Sequence, residues 1–172
     1  EDDGGILLCC SFPRDNCRIE LPYDRSKVAA ARPNRRQARI TRLENVAEGV
    51  IRLGLALLPD ADGSSSADFE SGQFLQITVP GTGVRRSYSP ANVANWDGEL
   101  EFYIRPLLGG VMSDYLTQRA AIGDELTVST AKGDFVLVEN GLRPRWFIAG
   151  GTGLSPLLSM LRRMAEWGDP QP

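Results

Sequence analysis

Apolar and polar residues alternate over residues 37–43 and, more strongly, over residues 50–57, where Ile51, Leu53, Leu55 and Leu57 fall on one side of an extended chain. Runs with this period predict two antiparallel strands with a turn at Glu48 and Gly49. Four further strand signals follow at 73–79, 85–89, 99–105 and 125–129, punctuated by glycine and proline. A helical stretch at 113–118 is inserted before the last of them. Short strands at this spacing predict a mainly β fold: a closed, six-stranded antiparallel barrel with Greek-key connections and one inserted helix. Residues 59–71, rich in Asp, Ser and Gly, read as a long exposed loop without a function of its own.

Beyond the barrel the pattern changes. Residues 144–149 form a nearly continuous apolar run, as a buried strand would, and residues 154–167 carry helical periodicity, so the two predict the opening of a parallel α/β unit. Before the barrel, the apolar run at 6–9 and the alternating run at 18–21 look like the edge of another domain, and residues 26–34 like a linker. The expected division is 1–24 for the end of a preceding domain, 25–35 for the linker, 36–141 for the barrel and 142–172 for the start of the α/β unit.

Composition narrows the chemistry. The 172 residues are 42% hydrophobic and 24% charged with a formal charge of -3, ordinary globular values. No apolar run approaches the roughly 20 residues of a membrane span, so no membrane partner is expected. Histidine is absent, which excludes Ser-His and Cys-His nucleophile pairs and imidazole-ligated zinc. Chemistry must then come from a cofactor. The three cysteines, Cys9, Cys10 and Cys17, lack the even count and spacing of a disulfide framework, and a reducing, cytoplasmic setting is expected. Seven basic and no acidic residues lie between Arg25 and Arg42, either a solvated linker face or a docking patch for an acidic partner. Without interleaved aromatics that run does not predict nucleic-acid binding. The chain opens at Glu1 without methionine or a basic-then-apolar leader, as expected of an excised or processed piece.

Three short motifs carry the candidate chemistry. In Arg86-Ser87-Tyr88-Ser89-Pro90, Arg86 offers a charged, bidentate donor suited to a diphosphate. Tyr88, two residues on along a strand, shares its face and offers a ring as a wall for a flat heterocycle. Ser89 offers a hydroxyl to a ring nitrogen such as flavin N5, the candidate catalytic contact. In Gly109-Gly110-Val111-Met112-Ser113 the free amides of a helix start attract an anionic phosphate. Gly150-Gly151-Thr152-Gly153 stands between a predicted strand and helix, and is neither a Walker loop nor a GxGxxG fingerprint.

Together these motifs resemble the ferredoxin-NADP reductase superfamily of FAD-dependent electron transferases. Within it, the run from Gly81 to Asn92 and Ile19-Glu20-Leu21-Pro22-Tyr23 resemble the reductase components of soluble methane monooxygenases. The resemblance implies that Arg86, Ser87, Tyr88 and Ser89 bind FAD, that Gly110, Val111, Met112 and Ser113 contact its pyrophosphate, and that Ile104 and Arg105 run beside the flavin and its ribityl chain. Thr152 would stand where nicotinamide meets flavin. Cys9 resembles the fourth ligand of a plant-type 2Fe-2S cluster, orphaned here because the C-x4-C-x2-C loop is not in this sequence, so no metal is expected in the chain. Also implied is a longer, monomeric protein passing electrons from NADH through FAD and the 2Fe-2S cluster of its own ferredoxin domain to a di-iron hydroxylase. With only the start of the NADH domain, this chain is expected to turn over little NADH by itself. A catalytically incomplete flavin module and a cofactor-free docking barrel are the alternatives.

Overall fold

The computed structural model describes residues 35–138 and 144–168, which fall in a compact unit spanning Pro33–Pro172. Cys9, the runs at 6–9 and 18–21, the linker at 26–34 and the proposed boundary at 141/142 lie outside the described residues.

Six strands form one antiparallel ladder: β1 (Arg35–Ala47), β2 (Val50–Leu57), β3 (Leu75–Thr78), β4 (Arg85–Tyr88), β5 (Glu99–Ile104) and β6 (Glu125–Ser129). Their order across the sheet is β4-β3-β6-β1-β2-β5, so the consecutive strands β4 and β5 stand at its two ends. The alternation read from sequence sets one face of the ladder against the core, but β4 and β5 do not pair, so the barrel the sequence predicts as closed stays open along that edge. Ile51, Leu53, Leu55 and Leu57 of β2 and Leu100, Phe102 and Ile104 of β5 are buried, while residues between them are not. β1 extends beyond the expected 37–43 because irregularities at Ile40/Arg42 and Asn45/Ala47 let one long strand bend while pairing with both β2 and β6. Truncating the fully buried Phe102 to Ala would cost about 3–5 kcal/mol.

Helix α1 (Val111–Gln118) starts two residues earlier than expected, with Gly110 as its N-cap. Met112, Tyr115 and Leu116 fall on one helical face and enter the barrel core. Helix α2 (Leu154–Glu166) follows a single 3-10 turn at Gly151–Gly153.

Two further expectations are corrected. Residues 144–149 are not a buried strand: they run irregularly, with Trp146 and Ile148 about nine-tenths exposed. A parallel strand is held by neighbours on its sheet, and no described residue pairs with this segment. The loop at 59–71 is not simply exposed, since Ala67, Phe69 and Ser71 are buried. Arg36 gathers it, donating to the carbonyls of Leu58 (3.0 Å), Ser64 (2.7 Å) and Ser66 (2.7 Å). The loop also lies so close to Gly98 that a side chain there would sit 2.2 Å from the Ser65 carbonyl.

Tyr115 ties α1 to the turn before β6, donating to Asp124 Oδ2 at 3.2 Å. Burial, then the Asp124 charge and hydrogen bond, push its phenol up to about 12. An unfolded tyrosine ionises near pH 10, so between about pH 10 and pH 12 the unfolded chain loses a proton that the folded one keeps, and stability falls as pH rises. Tyr115→Phe should flatten this alkaline loss in denaturant unfolding followed from pH 9 to 12; an unchanged slope would remove Tyr115 as its source.

Candidate functional site

The geometry of the site follows from where the ladder stops pairing. β4 bonds to β3 on one side only, and β5 to β2 on one side only, leaving a seam between them. Part of the β5 edge is closed by side-chain amides. Asn92 Oδ1 accepts from the Glu101 amide (2.8 Å), Asn95 Oδ1 accepts from the Glu99 amide (2.9 Å), and both Nδ2 groups donate to the Glu99 carbonyl (2.8 Å each). The Ala91 amide donates to the Glu101 carbonyl at 2.7 Å. By antiparallel alternation Tyr103 turns its N–H and C=O toward the same seam, where none of the described residues meets them.

On the other lip of the seam, Arg86 lies opposite Ile77 and Tyr88 opposite Leu75. Cross-strand partners share a face, and Ile77 and Leu75 are buried, so both β4 side chains start out on the core side of the sheet. Tyr88 is half-buried and meets Phe102 edge-on, ring centres 6.4 Å apart at 63°. Arg86 is exposed despite its core-side parity, and among the described residues its guanidinium donates only to the adjacent Arg85 carbonyl (2.8 Å). A cation standing at the mouth of an open seam beside a half-buried ring suits an anionic ligand with a flat, apolar end. Burial pushes the Tyr88 phenol above its ordinary value and the nearby Arg86 charge partly offsets this, so the ring stays neutral at physiological pH.

The other expected residues divide. β4 ends at Tyr88, so Ser89 is a half-buried residue just past the strand rather than its last member, and Ser87 is exposed on the outer face. Ile104 is a core residue, 2% exposed, and its backbone faces Ile51 of β2, so it offers the seam neither an exposed side chain nor a free backbone group. Arg105, immediately after it, is exposed. The β5-to-α1 turn is tight: the Leu107 amide donates to Ser113 Oγ (2.8 Å), and the Gly110 amide to the Leu107 carbonyl (3.0 Å). Ser113 Oγ is thereby held as an acceptor in the turn, Met112 faces the core, and no side chain caps the first turn of α1. With the Gly110 amide used inside the turn, this segment can offer a ligand the amides of Val111, Met112 and Ser113 and the Ser113 hydroxyl proton. A Cβ at Gly110 would lie 3.0 Å from both the Leu107 carbonyl and Ser113 Oγ, so a side chain there requires the turn to give by a few tenths of an ångström. Thr152 is half-buried in the 3-10 turn before α2.

Sequence reasoning missed Glu101. This largely buried carboxylate receives Arg52 Nε (2.8 Å) and Nη2 on one oxygen and Arg162 Nη1 (2.8 Å) on the other. Burial pushes its pKa up, but the hydrogen bonds and charges of Arg162 and Arg52 outweigh it and hold the group below the usual carboxylate value. Its only sequence signal is a charge on the polar face of β5, and the partners become readable only with the register that sets Arg52 diagonally across β2.

A cavity of about 830 Å³ lies elsewhere, between the 59–71 loop and the ends of β1, β3 and β6. Its wall carries Asp60, Asp62, Asp68 and Glu70 against Arg35 and Arg36, a poor setting for a diphosphate.

Comparison with known proteins shows the family to which the domain belongs. Residues 37–137 match the family described as the oxidoreductase FAD-binding domain. The chain belongs to this family. Over 174 aligned residues it is 42% identical to methane monooxygenase component C of Methylosinus trichosporium, covering 100% of this chain and 51% of that protein. It is 34% identical to the reductase component of propane 2-monooxygenase from Rhodococcus jostii (strain RHA1), over 98% of this chain and 45% of that one. Among solved structures, cytochrome P450 reductase GcoB of Amycolatopsis superposes with a TM-score of 0.69 at 34% identity, covering 80% of this chain and 40% of that chain. Phthalate dioxygenase reductase, a modular structure for electron transfer from pyridine nucleotides to [2Fe-2S], superposes at 0.64 with 27% identity, covering 77% and 40%. The chain spans about half the length of the relatives it matches. The mainly β fold, the oxidoreductase class and FAD as cofactor therefore hold as expected. Among the described residues no helix is long and apolar enough to cross a membrane.

As an FAD-binding oxidoreductase domain, the chain should be sensitive at Gly110. Gly110→Ala adds about 1–3 kcal/mol of overpacking strain to the Leu107–Ser113 turn, and flavin affinity measured by fluorescence titration should fall while the β-sheet circular dichroism is retained. Undiminished affinity would place the flavin away from this turn.

Proposed function

We propose that the chain is the flavin-carrying part of an NADH-dependent reductase that delivers electrons to an oxygenase. The observation that carries this reading is Arg86, a core-side cation left exposed at an unpaired seam beside Tyr88, in a domain of the FAD-binding family. Arg86 would hold the diphosphate through charge-assisted bonds, helped by the uncapped amides of Val111, Met112 and Ser113, with Gly110 letting the ligand approach the turn. Tyr88 would wall the isoalloxazine, the side chain of Arg105 would follow its edge and the ribityl chain, and Ser89 would donate its hydroxyl proton to flavin N5. Ser87, on the outer face, would take part through its backbone.

Bound FAD supplies the conversion of a two-electron donation into single-electron steps. The chain's own part is to bind, orient and shield. Thr152, at the turn before α2, would meet the nicotinamide of NADH. The names of the relatives support the wider assembly: a methane monooxygenase component, a propane 2-monooxygenase reductase component, and a reductase that serves [2Fe-2S]. In that assembly a 2Fe-2S ferredoxin domain of the same protein, with Cys9 resembling one of its ligands, would relay electrons to a di-iron hydroxylase. The cytoplasmic, monomeric form belongs to the same proposal, supported by the odd cysteine count without disulfide spacing.

FAD should bind more tightly than FMN, because only FAD carries a diphosphate. Arg86→Ala should remove about 1.5–3 kcal/mol, roughly 10- to 150-fold in FAD affinity, and leave FMN nearly unaffected in the same titration. Equal affinities for the two flavins would sink the diphosphate assignment. A separate expectation concerns Ser89→Ala: a single neutral hydrogen bond is worth about 0.5–1.5 kcal/mol, so the variant should keep FAD yet be reduced more slowly by NADH in stopped-flow mixing of the longest natural form of the protein. Reduction at the parental rate would count against the N5 contact.

A further inference from the structure

Helix α2 is fastened to the polypeptide that leaves the seam. Ser159 Oγ donates to the Asn92 carbonyl at 2.6 Å, and Arg162 Nη1 donates to the Ala91 carbonyl at 2.9 Å and to Glu101 Oε1 at 2.8 Å. Ser155, Ser159 and Arg162 recur at helical spacing on one face of α2, and the two serines are buried, so small side chains let that face approach the barrel closely. Glu101 is itself immobilised from the far side by Arg52 of β2. The chain of contacts thus runs from β2 through β5 into α2.

Its placement matters because of what lies at each end. Ala91 and Asn92 follow Ser89 by two and three residues, with Pro90 between them stiffening the path. Ser159 lies five residues into a helix that starts directly after the Gly151–Gly153 turn, about 7.5 Å along its axis. The distance from Ser89 to the glycine-rich turn is therefore spanned by three residues of backbone, two polar anchor points and a turn and a half of rigid helix. A partly buried ion pair contributes little net stability, since desolvating and ordering the charges offsets their attraction, but it fixes direction. Here it has two arginines on separate oxygens of one carboxylate, which fixes both the position and the tilt of the group.

We propose that Glu101, Arg162 and Ser159 form a latch that sets the approach of the glycine-rich turn to Ser89, and so orients the pyridine nucleotide against the flavin. They are positioning residues, touching neither ring. This rests on the reading above, in which Ser89 and Thr152 face the two reacting partners. Misplacement of a reacting pair by about 1 Å costs up to about 100-fold in rate, so a loosened latch should lower the limiting rate of flavin reduction without weakening either nucleotide.

The test uses the longest natural form of the protein loaded with FAD, with Glu101→Gln, Arg162→Met, Ser159→Ala and the conservative Arg162→Lys. Stopped-flow reduction at saturating NADH should slow by about 10- to 100-fold in Glu101→Gln and Arg162→Met and recover in part in Arg162→Lys, which restores the charge and a donor. Dissociation constants for FAD and NADH and the rate of reduction by dithionite should stay at parental values, measured well below each variant's thermal midpoint, which falls where one charge of the pair loses its partner. Parental rates in all four variants would overturn the latch while leaving the functional reading intact. So would a slowing that merely tracks lost flavin or lost folded protein, because that is the mark of a structural contact. Failure of the parental protein to be reduced by NADH would overturn the functional reading, and the latch with it.

Discussion

Six antiparallel strands must bend around a core of limited size, and in this chain the hydrogen-bond ladder runs out between β4 and β5. Edge strands left bare are a liability in a small β protein, and the chain deals with the two halves of this edge differently. Near the start of β5 the side chains of Asn92 and Asn95 stand in for a seventh strand, satisfying Glu99 and Glu101. Farther along, at Tyr103, nothing among the described residues does so, and there Arg86 and Tyr88 look into the gap from the opposite lip. In the proposed binding mode a ligand with a flat ring and a diphosphate would complete what the backbone leaves open, with the ring between two strand edges and the charge on Arg86 and on the free amides that open α1.

The same economy governs the attachment of α2. Backbone carbonyls of the segment after β4 cannot pair with a strand, and they are taken up by Ser159 and Arg162. Glu101 then serves two structures at once, its backbone closing the edge of β5 and its carboxylate binding arginines from β2 and α2. Carboxylates with this much hydrogen bonding stay ionised at neutral pH despite burial, which is why Glu101 titrates below its usual range rather than above it.

Much of this was legible in sequence, for a physical reason. Strand alternation depends on a core face and a solvent face, and β2, β5 and β6 lie where expected because their buried positions alternate cleanly. The motif at residues 86–89 and the glycine-rich helix start were readable because their chemistry is local. The strand at 144–149 was misread because apolar content measures burial only when a partner surface is present, and here Trp146 and Ile148 face outward. The burial of the Ile104 side chain was not legible, because nearness to a motif along the chain does not say which way a side chain points. The latch was invisible for the opposite reason: Glu101, Asn92, Ser159 and Arg162 are unremarkable singly and meaningful only once the register and the docking of α2 bring them together. Likewise the loop at 59–71 acquires its role only through Arg36, which is distant in sequence.

The central claim is that flavin occupies the β4–β5 seam rather than the 830 Å³ cavity beneath the 59–71 loop. Amide hydrogen exchange followed by mass spectrometry, with and without saturating FAD, separates the two. The account predicts slowed exchange at Arg85, Arg86, Ser87, Tyr88, Ser89 and at Gly110, Val111, Met112 and Ser113, with residues 60–70 unchanged. Protection confined to residues 60–70, with the seam exchanging as freely as before, would contradict it.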